Sequence, residues 1–200
     1  MSLDLAEKVA LVSERMASAC RRAGRDPGEV QLVAATKKVA PERVTEAYGC
    51  GVVIAGENRV QEARQKKELC PSALEWHMIG HLQRNKVRYA VDLFSMIHSV
   101  DSIRLLDELE AACDRKGVSM PACLEVNLAG ESTKYGFAPE QIPEVIDRCR
   151  ALCRVEIVGL MTMPPFAKDA EESRPYFARL RELRDSCNTK QGFRMDGLSM

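Results

Sequence analysis

The sequence predicts an α/β fold built on a parallel sheet, and three observations predict it. Short apolar runs alternate with amphipathic helical stretches seven times along the 200 residues. The apolar runs are mostly continuous, as strands covered on both faces are. No Asn-Gly turn joins two neighbouring runs, so hairpins are absent from the pattern. A doubly wound sheet and a (β/α)8 barrel both fit. A barrel needs eight strands and ordinarily about 250 residues, whereas this chain offers seven runs. The turn after the first run reads TKKVAPE, without the G-x-G-x-x-G of a dinucleotide site, which weakens that alternative.

The elements follow in order. Leu5, Val9, Val12, Met16 and Cys20 recur at helical spacing and predict an opening helix that ends near Gly24. Strand one is expected over residues 32–36. Pro41 suits the first turn of the next helix, which Gly49 and Gly51 close. Strand two is expected over 52–55, followed by a charged helix over 60–69 that Pro71 breaks. Strand three is placed at 76–80, a helix at 83–90 and strand four at 93–98. Asp101 or Ser102 caps a helix carrying Ile103, Leu106, Leu109, Ala112 and Cys113, stopped by Gly117. Strand five spans 122–128. Pro139 opens a helix with Ile142, Val145, Ile146, Cys149 and Cys153 on one side. Strand six is expected over 155–161, a helix over 171–186 and strand seven over 195–200.

Composition narrows the function. Lys+Arg and Asp+Glu are both 29, so nothing favours nucleic acid or an anionic membrane. The one charge run, RQKKE at 64–68, mixes signs and reads as a solvated helix face. The opening MSLDLAEKVALVSERM lacks the basic start of a signal peptide, and no run reaches the ~18 apolar residues of a membrane span. A cytoplasmic location is expected. The eight cysteines then read as reduced thiols, with no His or Cys pair placed to complete a metal site around Cys149 and Cys153.

Chemistry in parallel α/β folds collects at the carboxyl ends of strands. Those ends read Lys37, Glu57-Asn58, His81, Ser99, Asn127, Thr162 and Ser199. Lys37 closes the apolar run QLVAATKK at 31–38 and is the lone lysine of the set. A desolvated amine there is a nucleophile toward carbonyls; the plainer reading is two solvated lysines ending a strand. Lys38 adds a like charge that favours the neutral amine of Lys37. His77, inside WHMIGH, shares a strand face with Ile79, either lining a pocket floor or bonded in the core. Strand geometry spoils His77 and His81 as a metal pair. A hydroxyl at Ser199 would suit a phosphate oxygen, since the last loops of a barrel often hold phosphates; the plainer reading, which one serine alone favours, is a terminal serine of no consequence.

Taken together, LVAATKK at 32–38, GENRVQE at 56–62, WHMIGHLQRNK at 76–86, HSVDS at 98–102, EVNLAGESTKYGF at 125–137, GLMTM at 159–163 and LSM at 198–200 resemble the pyridoxal phosphate homeostasis proteins. These are single-domain relatives of the alanine racemase barrel. The resemblance implies a (β/α)8 TIM barrel of that type, one domain over residues 1–200, holding pyridoxal 5′-phosphate (PLP) as a Schiff base on Lys37. It implies that Asn58 lies near the cofactor ring, Ser199 near the phosphate, and His77 and Met161 in the pocket region. The family continues past LSM with GMS, a helix and a last strand that bring an arginine to the pyridine nitrogen and donors to the phosphate. The chain is therefore expected to be truncated after strand seven, with an incomplete phosphate cup. Where the family has Ser-Lys-Thr, this chain has Thr36-Lys37-Lys38.

The resemblance implies a PLP-binding protein of intracellular vitamin B6 homeostasis, not an enzyme, monomeric, with PLP-dependent apoenzymes as partners. The alternative is a PLP-dependent amino-acid racemase. That reaction needs an acid/base group on each face of the substrate α-carbon. In racemases a tyrosine from a second domain supplies one of them. Tyr48, Tyr89, Tyr135 and Tyr176 all fall in expected helices or loops, so no catalytic residue is assigned.

Overall fold

The computed structural model describes residues 3–131 and 134–200. The chain divides into two compact units, Met1–His77 and Met78–Met200.

The first unit opens with α1, Leu5–Arg22. The Asp4 carboxylate accepts from the Glu7 N–H at 2.8 Å, and Glu7 accepts from the Asp4 N–H at 2.9 Å. Such a reciprocal cap is worth about 1 kcal/mol. The expected apolar stripe of this helix is only partly covered: Cys20 is buried and Val12 exposed. Strand β1, Val33–Ala35, pairs in parallel with β2, Ile54–Glu57, with Val33 opposite Ile54 and Ala35 opposite Gly56. Between them α2, Pro41–Gly49, starts on its proline, where the missing N–H would have had no helical partner. Helix α3, Val60–Lys67, leads to β3, Glu75–Met78, which lies beside β2. Trp76, His77 and Met78 are all buried, so both faces of β3 are covered, as the continuous apolar run implied. One expectation fails here. The 64–68 run is not a uniformly solvated face, because Lys66 is buried.

The second unit carries α4, Val87–Leu93; β4, Met96–Val100; α5, Ile103–Lys116; β5, Met120–Glu125; α6, Ile142–Cys149; β6, Val155–Met161; α7, Arg174–Gln191; and β7, Gly197–Ser199. Its strands lie side by side in sequence order. Helix α5 is capped by the Ser102 hydroxyl and ends at Gly117 in the left-handed region, as its composition predicted. It buries Leu105, Leu106, Leu109, Ala112 and Cys113, and each buried leucine contributes roughly 1.5–3 kcal/mol. Strand four starts later than expected, because α4 extends to Leu93 and Phe94 caps it. Ser99 therefore lies within β4 and not at its end, and donates to the Gly80 carbonyl. Cys153 lies beyond α6 and is exposed, so it does not share the buried face of Cys149. Gly159 of β6 pairs with Gly197 of β7, and a Cβ on Gly159 would sit 2.2 Å from the Gly197 carbonyl oxygen. Only glycine permits that approach of the two backbones. Among the described residues no helix is long and apolar enough to cross a membrane.

Candidate functional site

The end of β1 turns sharply. The Thr36 N–H donates to the Gly56 carbonyl at 2.9 Å, continuing the ladder, and the Val39 N–H returns to the Thr36 carbonyl at 2.9 Å. Lys37 and Lys38 are the two central residues of this turn. Lys38 has φ 61°, the sign that a type II turn requires at that place and that glycine or asparagine usually supplies. For a lysine the conformation costs on the order of 1 kcal/mol. It is offset by a hydrogen bond from the Lys38 N–H to the Glu62 Oε1 at 2.6 Å.

Beneath the turn sits Lys66 of α3. Its ammonium donates to the Thr36 carbonyl, to Glu57 Oε1 and to Glu62 Oε1, each at 2.7 Å. These three acceptors match the three donors of an ammonium group. Burial pulls the Lys66 ammonium down, and the bonds to Glu57 and Glu62 outweigh it and hold the group above the usual lysine range. The Lys66 bond, opposed by burial and helped by the Lys38 N–H, holds the Glu62 carboxyl below its ordinary value. Glu57 is fully buried, and its Oε1 also accepts from the Thr36 hydroxyl at 2.7 Å. Its Oε2 has no hydrogen-bond partner among the described residues.

Lys37 is different. It is exposed, and its side chain makes no hydrogen bond or ion pair with any described residue. Lys37 and Asn58 each lie two positions past the last paired row of β1 and β2, Ala35 with Gly56. Asn58 is half-buried. His77 is buried within β3, with Nε2 3.7 Å from the Glu75 carboxylate. Burial, opposed by Glu75, keeps its imidazole below the ordinary histidine value, hence neutral at pH 7.

In the second unit Glu125, Met161 and Ser199 form one row across β5, β6 and β7. The structure thus brings Met161 and Ser199 together as register neighbours. The Ser199 hydroxyl is hydrogen-bonded to Nδ1 of buried His98 at 2.7 Å. Of the other strand-end groups, the Thr162 hydroxyl donates to the Val126 carbonyl, and the Asn127 side chain braces the loop that follows through Gly130 and Glu131. In the EVNLAGESTKYGF stretch, Ser132 and Thr133 lie outside the described residues.

Two groups escaped the sequence reading. One is the knot of Thr36, Glu57, Glu62 and Lys66; its available signal was the Glu62–Lys66 spacing of four on a helix. The other is an acid–imidazole cluster beyond β3, β4 and β5. His81 Nδ1 lies 2.7 Å from Asp101 Oδ2, and the Ser102 hydroxyl donates to Asp101 Oδ1 at 3.1 Å. The Tyr135 ring stacks on His81 with centroids 3.7 Å apart. Burial, helped by the Asp101 charge and opposed by His81, pushes the Glu125 carboxyl up to about 7.

Comparison with known proteins follows the same lines. The family "alanine racemase, N-terminal domain" matches residues 14–200. A pyridoxal phosphate homeostasis protein of Aquifex aeolicus is 41% identical, over 99% of this chain and 87% of that protein. The protein of that name in Homo sapiens is 35% identical, over 100% of this chain and 78% of its own. Among solved structures, PipY of Synechococcus elongatus with PLP bound is 37% identical, with a TM-score of 0.80, covering 94% of this chain and 88% of that one. An alanine racemase of Clostridium difficile has a TM-score of 0.70 at 14% identity, covering 84% of this chain and 45% of that one, and shows the shared fold. The fold class is that of the alanine racemase barrel, with seven of its strands among the described residues. The chain belongs to the pyridoxal phosphate homeostasis protein family.

Proposed function

We propose that this chain binds pyridoxal 5′-phosphate and serves intracellular vitamin B6 homeostasis by holding and passing on the cofactor without turnover. The observation that carries the reading is the contrast between two lysines: Lys66 is fully engaged, whereas Lys37 offers an unengaged primary amine at the end of β1. When bound, PLP supplies an aldehyde that condenses with a primary amine and releases water. The donor set fits that chemistry. Lys37 supplies the amine; Asn58 provides an amide two positions past the same paired row. His77 adds a neutral imidazole in the first unit; in the second, Met161 and Ser199 are register neighbours, and the Ser199 hydroxyl, bonded to His98, is the group we assign to a phosphate oxygen.

The finer parts of the reading are that residues 1–200 act as one binding domain, that the chain works as a monomer in the cytoplasm, and that PLP-dependent apoenzymes receive the cofactor. The racemase alternative is less favoured. Tyr48, Tyr89 and Tyr176 lie in α2, α4 and α7, and Tyr135 is stacked on His81.

Mixing the chain with PLP should give a visible absorbance band that borohydride bleaches. The Lys37→Ala chain should lose the band while keeping its circular dichroism spectrum. An undiminished band in that variant would remove Lys37 from the proposal. Enzyme-like solvent deuterium exchange at the α-carbon of free amino acids would replace the carrier reading with the racemase one.

A further inference from the structure

Two lysines stand side by side in the β1 turn, and both side chains lack a partner among the described residues. Chemically the two amines are equivalent. What separates them is backbone. Lys38 has φ 61°, and Lys37 is not among the described residues with positive φ. Their Cα–Cβ bonds therefore leave the chain in different directions. An exposed two-lysine turn has no reason of its own to keep a lysine in the left-handed region. The reason lies underneath it. Glu62 holds the Lys38 N–H, Lys66 holds Glu62, and the same ammonium holds the Thr36 carbonyl that begins the turn. Lys66 is anchored in turn by Glu57, which is fully buried in β2 and also bonded to the Thr36 hydroxyl. Both ends of the turn are thus tied to one buried cation.

We infer that Lys66, acting through Glu62 and Thr36, is a positioning residue that selects Lys37 over Lys38 as the amine presented to an aldehyde ligand. The inference rests on the proposed PLP-binding role of Lys37 and adds the device that makes the choice. Glu62 is the second positioning residue, because its carboxylate alone links the ammonium to the Lys38 backbone. Glu57 anchors Lys66 and orders Thr36. None of the three needs to touch the ligand.

The test is the distribution of label between the two lysines. The full chain is mixed with PLP, the adduct is reduced with borohydride, and the labelled peptides are separated and sequenced by mass spectrometry. The native chain should carry the label on Lys37. In Glu62→Ala the Lys38 N–H loses its acceptor, and the Lys37-to-Lys38 label ratio should fall roughly tenfold or more, as small misplacements of a reacting group commonly cause. Glu62→Gln retains an oxygen for the Lys38 N–H and should recover most of the selectivity. Lys66→Met should match or exceed Glu62→Ala. Glu62 is partly exposed, with 25% of its side chain accessible, so its variants report even where Lys66→Met unfolds. Circular dichroism and the thermal midpoint separate lost positioning from lost fold, since a merely structural role would lower stability without redistributing the label. An unchanged ratio in folded Glu62→Ala overturns the inference and leaves Lys37 as the binding residue. Absence of label on Lys37 in the native chain overturns the proposed function itself.

Discussion

Around Lys66 one ammonium meets three acceptors at 2.7 Å. Around Glu125 a half-buried carboxyl has Asp101 as a like-charged neighbour and the Asp101-bonded His81 as a weaker opposing influence. Both clusters place ionisable groups near the ends of parallel strands. The first pairs its charges, and the hydrogen bonds between them hold the Glu62 carboxyl below and the Lys66 ammonium above their ordinary values, against the cost of burial. The second leaves burial and repulsion acting together, so its carboxyl titrates near neutrality. Paired burial suits a fixed scaffold under the Lys37 turn. Unpaired burial creates a group whose charge responds to pH.

The largest expected effect breaks the paired cluster. Lys66→Met leaves Glu57 fully buried without its cation, and should destabilise the chain by roughly 3–5 kcal/mol. Adding Glu57→Gln removes the stranded charge, and the double variant should regain part of that loss in urea unfolding. Strict additivity of the two substitutions would show that the pair does not act as a unit.

The second cluster gives a smaller effect with a definite sign. The Glu125 carboxyl rises from 4.5 to about 7 on folding, so the folded chain binds the extra proton between those values. Stability contributed by this group is full below about 4.5 and is lost as pH rises through about 7. Glu125→Gln should therefore stabilise the chain at pH 8 by about 1–2 kcal/mol, after allowance for partial exposure, and change little at pH 4. Equal effects at both pH values would place the raised titration elsewhere.

His77 gives the smallest and opposite trend. Its folded value lies below 6.5, so the stability from its neutral form is present above that pH and lost as pH falls through the folded value. His77→Gln should reduce the acid-side loss of stability. A variant that loses stability faster on the acid side than the native chain would contradict the burial argument.

The regions differed equally in how far they could be read from the sequence. The end of β1 was legible because an apolar run closing on two lysines is a local pattern, and the strand stops at Ala35 with both lysines in the turn that follows. β6 matched residue for residue, since Arg154 and Thr162 bound its apolar run. Strand four was misplaced because apolar residues continue from α4 into the strand, and composition does not mark where helix gives way. Lys66 was illegible for a stronger reason. RQKKE has the composition of an exposed face, and only the fold brings Glu57 and the Thr36 carbonyl over one of its lysines. The His81–Asp101 pair spans 20 positions. Both residues lay in motifs already singled out, but their contact depends on how β3 and β4 end.

The central claim is that Lys37, and not its neighbour, is the amine the fold presents. The most direct measurement is mass-spectrometric mapping of the borohydride-reduced PLP adduct on the unaltered chain. The account predicts label on Lys37 with little on Lys38. Label predominantly on Lys38, or spread evenly over exposed lysines, would contradict it.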